Sequence, residues 1–149
     1  MKRALRSVLA VIAGFAAASV VMMIVESVNG KVLYPELGSA AQGMTDRNAI
    51  RELLAGAPAG AFLVVLCGWV LGSLAGGVVS GWIGRSPPTR HALVLGGLLT
   101  LAGVANNLML PPPVWFWIVS IPVFLPAAWV GGRLAPVAAA APPARPSAA

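Results

Sequence analysis

The chain has 149 residues, of which 58% are hydrophobic and 9% charged, and its mean hydropathy is +0.87. Soluble domains carry about 25% charged residues, so a water-facing surface cannot be covered and a soluble globular enzyme is excluded. The net charge is +6, yet the ten basic residues are scattered in twos and threes rather than gathered on one aromatic-interleaved face, which argues against nucleic acid as a partner.

A membrane-crossing helix needs about 20 mostly apolar residues. The first such run, 4–28, follows Lys2 and Arg3 and carries Arg6 near its start and Glu26 near its end. A basic start before an apolar run also suits a secretory signal. This run outlasts the about 7–15 residues of a signal core, so an uncleaved span is expected.

The segment 29–58 is the one long polar interruption. Its first part, KVLYPELGSAAQGM, predicts turns and extended chain from Tyr34-Pro35 and its glycines. The second part, TDRNAIRELLAG, predicts a short amphipathic helix. Thr45 or Asp46 caps it, Ile50, Leu53 and Leu54 share a face, and Gly56 with Pro58 ends it.

The second span, 59–83, contains no charge. Gly68, Gly72, Gly76 and Ser80 recur every fourth residue, with Ser73, Gly77 and Gly81 beside them. Such stripes let helix backbones approach closely. Packing within the chain is the expected use; a homodimer face or a backbone-lined pore is the alternative. Cys67 is expected as a buried small hydrophobe, and as the single cysteine it excludes an internal disulfide and a cysteine-based zinc site.

The third span, 92–110, begins after Arg90 and His91 and ends with Asn106 and Asn107. One histidine makes no metal site, and His91 reads as a headgroup contact. The fourth span, 114–134, follows three prolines. Trp115 and Trp117 suit an interfacial belt, Trp69 and Trp129 read as packing residues, and Pro122 and Pro126 should bend the helix. The tail 137–149 is Ala/Pro-rich and expected to be disordered.

These runs predict an all-α membrane four-helix bundle over 1–136, because open strands in lipid would leave backbone groups unpaired. Four spans place both termini and the 84–91 connection on one side. That side holds Lys2, Arg3, Arg6, Arg85, Arg90, Arg133 and Arg145, seven of the ten basic residues. Cytoplasmic loops are enriched in Lys and Arg, so both termini are expected in the cytoplasm and the 29–58 segment outside.

Glu26 is the only acid attached to an apolar run. It lies 20 residues beyond Arg6, about 30 Å along a helix, so it sits near the outer interface. Asn29 follows on the same face. Asn106 and Asn107, about 23–24 Å beyond His91, reach a similar depth, near Tyr34 and Trp115. The four polar residues form either a satisfied cluster that fixes helix register or a ligand or proton site. Glu26 is expected within hydrogen-bonding reach of a third-span asparagine, directly or through one water.

The segments VESVNGKVLYPELG (25–38) and ANNLMLPPPVWFWIVSIPVFLPAAWVGGRLA (105–135) resemble a group of small four-span bacterial inner-membrane proteins. The resemblance implies a fold and a location and brings no activity with it. The resulting expectation is an inner-membrane structural or interaction subunit, whose Gly68/Gly72/Gly76/Ser80 stripe packs against its own copies or another membrane protein. A small transporter or channel using Glu26, Asn29, Asn106 and Asn107 is the alternative. Membrane lipid is an expected partner. No enzymatic activity, cofactor or metal is expected, since no nucleophile–base pair and no ligand spacing stand out in the sequence.

Overall fold

A computed structural model describes residues 2–85 and 87–136, and among these all regular structure is helical. The tail 137–149 lies outside the described residues. Four helices are long and apolar enough to cross a membrane: Ala4–Leu33, Ala59–Gly84, Pro88–Met109 and Val114–Leu134. Large side chains such as Ile12 (59%), Leu101 (68%) and Ile118 (71%) stay exposed along them. Outward apolar faces on long helices are compatible with an integral membrane protein.

The first helix, α1 (Lys2–Val28), runs on through a π-helical turn, Asn29–Leu33. The Tyr34 amide donates to the Asn29 carbonyl at 2.8 Å, an i to i+5 closure that widens the helix at its polar end. The turns and extended chain expected next are instead a helix, α2 (Pro35–Ala41). Tyr34 leaves the helical region, as a residue before proline tends to, and Pro35 opens α2 with its ring already at helical φ. Gly38 serves close approach, because a Cβ on it would collide with the backbone of Gly30, whereas Gly43, at φ +75°, makes the expected turn after α2. Helix α3 (Arg47–Gly56) follows, with the Asp46 carboxylate accepting from the Ala49 amide at 2.8 Å.

Helix α4 (Ala59–Gly84) is the hub. Its Gly68, Gly72 and Gly76 lie against α1, where added Cβ atoms would meet Val25, Met22 and the Gly14 carbonyl respectively. Ser80 is fully buried on the same face, beside Gly14. The neighbouring stripe turns the other way: Gly77 meets the Ala128 backbone, and Gly81 meets Ala135. Both stripes are therefore occupied within the chain. Close backbone approach gains the dispersion energy that lipid exclusion alone does not supply.

Helix α5 (Pro88–Met109) starts earlier than expected because Pro88 occupies a first-turn position, where its missing N–H costs nothing. The fourth long helix passes from α6 (Val114–Ser120) through a 3-10 turn (Ile121–Val123) into α7 (Phe124–Leu134), with helical backbone across the junctions. Pro122 sits in the 3-10 turn, and Pro126 lies in the first turn of α7. Gly103 of α5 accepts the Phe124 ring, and Gly132 of α7 packs on Ala92.

The aromatic core joins α4 to the fourth segment. Trp69 lies 5.5 Å from Phe116 and 5.1 Å from Phe124, centroid to centroid, and Phe62 lies 5.4 Å from Phe116. Trp69 is buried, but Trp129 is 40% exposed with the Arg133 guanidinium 5.0 Å over its ring. Cys67, expected inside, is exposed. It falls on the Leu63–Cys67–Leu71 face, the side of α4 left over once its two small-residue stripes are covered.

Candidate functional site

At the end carrying 29–58, a cavity of about 250 Å³ opens between α1, α4, α5 and α6, beneath α2 and α3. Glu26, Asn29, Asn106 and Asn107 all line it. Their arrival at one depth follows from the constant rise of antiparallel helices. Their direct hydrogen bonds run to other partners. Glu26 accepts from the Trp69 indole N–H at 3.2 Å, with no third-span amide as its hydrogen-bond partner. The Asn29 amide donates to the Ala61 carbonyl at 3.1 Å, and the Asn107 amide donates to the Ser120 hydroxyl at 3.2 Å.

Two of these side chains remain half-satisfied. Asn29 and Asn107 are 7% and 1% exposed, and the Oδ1 of each is buried without a hydrogen-bond donor. An unpaired buried acceptor costs about 1–3 kcal/mol. A cluster serving only to fix helix register would pair such atoms; these two are buried and unpaired in residues that line a cavity.

The walls are apolar and aromatic, with Phe62, Trp69, Phe116, Tyr34 and Leu54 among them. Tyr34 leans over α4 so closely that a Cβ on Gly60 would collide with its hydroxyl. Among the described lining residues none is Lys, Arg or His, so Glu26 supplies the single formal charge. Trp69 and Ser120 were not legible as site residues. Trp69 reads as packing in a sequence, and only the α1–α4 register shows that its N–H reaches Glu26.

At the opposite end a groove of about 590 Å³ runs between α1 and α5. It is lined by Ser7, Arg90 and His91 at its polar end and by Val8, Val11, Ile12, Val94 and Leu98 beyond. His91 is not a freely solvated headgroup contact. Its Nε2 lies 3.1 Å from Ser7 Oγ, and its ring packs against Gly84 with Nδ1 buried and unpaired. Ser7 and His91 thus bring a hydroxyl and a base together across 84 positions of sequence. The pair lacks a group orienting Nδ1, the third part that makes a serine nucleophile effective.

Among the described residues no group of three or more His, Cys, Asp or Glu is placed to hold a metal ion. The sequence matches no family model, no curated protein and no solved structure.

Proposed function

We propose that this chain is a small transporter that binds an organic cation in the cavity under α2 and α3. The observation that carries the reading is Glu26: a carboxylate at an aromatic cavity whose described lining holds no Lys, Arg or His, with the Trp69 N–H as its hydrogen-bond donor and Lys31 lying across a neighbouring groove rather than in the cavity. A cation satisfies that charge, and the faces of Phe62, Trp69 and Phe116 suit its apolar body. At about 250 Å³ the cavity sits just below the usual range for ligand pockets, ~300–1,000 Å³, so the ligand is small.

The 3-10 turn within the fourth helix supports transport rather than static binding, because a mid-helix 3-10 stretch is a place where a helix can hinge. Here Asn107 of the cavity is tied to Ser120, the residue just before the 3-10 turn. A cation that bonds the unpaired Asn107 Oδ1 pulls on the same side chain whose N–H holds Ser120, which couples ligand binding to that turn.

In this reading α1, α4, α5 and the α6–α7 segment form a four-helix bundle in a bacterial inner membrane. The termini are cytoplasmic and the cavity opens outward, as the distribution of basic residues favours. The short helix α3 is an amphipathic lid: its Leu54 lines the cavity while Arg47 and Arg51 are exposed. An interaction subunit is less well supported, because the Gly68/Gly72/Gly76 stripe on which it relied is covered by α1 of the same chain. No catalytic step is part of the proposal.

The test uses benzylammonium and its neutral counterpart benzyl alcohol with the detergent-purified protein. Benzylammonium should raise the thermal midpoint and Glu26→Gln should abolish that rise while the protein stays folded. In proteoliposomes the same substitution should stop benzylammonium uptake. Equal binding of the charged and neutral probes, or uptake by Glu26→Gln at the wild-type rate, refutes the reading.

A further inference from the structure

We infer that the groove between α1 and α5 is a binding site for an anionic phospholipid, with the phosphate at Arg90 and Ser7 and one acyl chain along Val11, Ile12, Val94 and Leu98. The site is separate from the cavity at Glu26 and stands whether or not that cavity transports anything. Its first support is the order of groups along the groove. Polar side chains, Ser7, Arg90 and His91, occupy one end, and only apolar ones continue from it. From Arg90 to Leu98 the helix rises about 12 Å, close to the ~15 Å of one hydrocarbon leaflet. The groove therefore has the length and polarity order of a lipid: a head, then a chain.

The second support is charge. Arg90 is exposed, and its guanidinium makes no hydrogen bond or ion pair among the described residues. Arg6, at the same end, is already committed, its Nε donating to the Ile83 carbonyl at 2.8 Å near the C-terminus of α4. All four Asp and Glu residues lie between positions 26 and 52, around the opposite end. No side-chain carboxylate at the groove's end can answer Arg90, and a lipid phosphate is the anion a membrane offers there. The His91 ring, fixed over Gly84, holds the Ser7 hydroxyl at the mouth of the groove. With the imidazole donating from Nε2–H to its oxygen, that hydroxyl can turn its single proton toward a phosphate oxygen.

Native mass spectrometry of the whole protein from micelles doped equally with phosphatidylglycerol and phosphatidylcholine tests this. Wild type should retain phosphatidylglycerol about fivefold better, the factor equivalent to the ~1 kcal/mol one cation gains from an anionic headgroup. Arg90→Gln should erase the preference and Arg90→Lys should keep most of it. Val94→Trp, which fills the groove, should lower retention of both lipids. Inorganic phosphate at millimolar concentration should displace little, because it lacks the chain. Absence of a preference in wild type, a preference that survives in Arg90→Gln, or full displacement by inorganic phosphate overturns the inference. If Arg90→Gln fails to fold, Arg90→Lys and Val94→Trp decide it: retention unchanged in Val94→Trp overturns the acyl-chain placement.

Discussion

Glu26 and Trp69 meet at 3.2 Å across 43 positions of sequence, one from the polar end of α1 and the other from the buried face of α4. This contact couples the charge of the cavity to the aromatic core, since the same indole stacks near Phe116 and Phe124. Trp69 thus has two separable roles: a ring that fills space and an N–H that steadies a carboxylate.

Trp69→Phe should keep the ring contacts and lose only the donor. A single hydrogen bond is worth about 0.5–1.5 kcal/mol, and the residue-level exposure of Glu26 places the effect at the low end. Trp69→Ala should cost about 3–5 kcal/mol, because it also empties the core. Thermal unfolding in detergent separates the two. Equal losses in both variants would show that the N–H, not the ring, carries the stability.

The close contact of α4 with α1 makes a second prediction. Gly72→Leu should destabilise the protein by about 1–3 kcal/mol, since the Met22 side chain and the Ala18 carbonyl leave no room for a Cβ. Gly97 is the matched control: nothing lies within 4 Å of its Cβ position. Gly97→Ala should be neutral or stabilise by up to about 1 kcal/mol through helix propensity. Comparable losses at both positions would refute the packing argument.

Orientation is checked by labelling. In a Cys67→Ser background, Ser39→Cys should react with an impermeant thiol reagent in intact cells and Ser86→Cys should react only after lysis. Preferential labelling at position 86 in intact cells would reverse the assignment drawn from the basic residues.

Much of the architecture could be read from residues alone, and the reasons differ by element. Apolar runs set the four long helices because length and charge decide what can cross lipid. The α2 helix was hidden because Tyr34-Pro35 and two glycines carry turn signals, whereas here proline starts a helix and glycine lets Gly30 meet Gly38. Depth along the membrane was legible from helical rise, which is why Glu26, Asn29, Asn106 and Asn107 line one cavity. The rotation of each helix was not. Rotation decides that Glu26 meets Trp69, that Asn107 meets Ser120, and that Cys67 faces outward.

Asn107 distinguishes a ligand site from a register-fixing cluster. It is 1% exposed, its amide nitrogen donates to Ser120 Oγ, and its Oδ1 has no donor. Exchanging the amide nitrogen and oxygen would let the Ser120 hydroxyl donate instead, yet one amide atom would still lack a partner. Asn107→Leu keeps the volume and removes that buried, unpaired atom, and the Ser120 hydroxyl can fall back on the i−4 carbonyl of its own helix. Its stability should therefore change by less than about 1 kcal/mol. If benzylammonium uses the amide oxygen, its binding should weaken at least about tenfold, since a hydrogen bond to a charged group is worth about 1.5–3 kcal/mol and ~1.4 kcal/mol is tenfold. Asn107→Asp, by contrast, should destabilise strongly, because it buries a charge without a partner. If Asn107→Leu instead lowers stability by about 1–3 kcal/mol and leaves benzylammonium binding unchanged, the asparagine holds helices in register and takes no part in recognising a ligand.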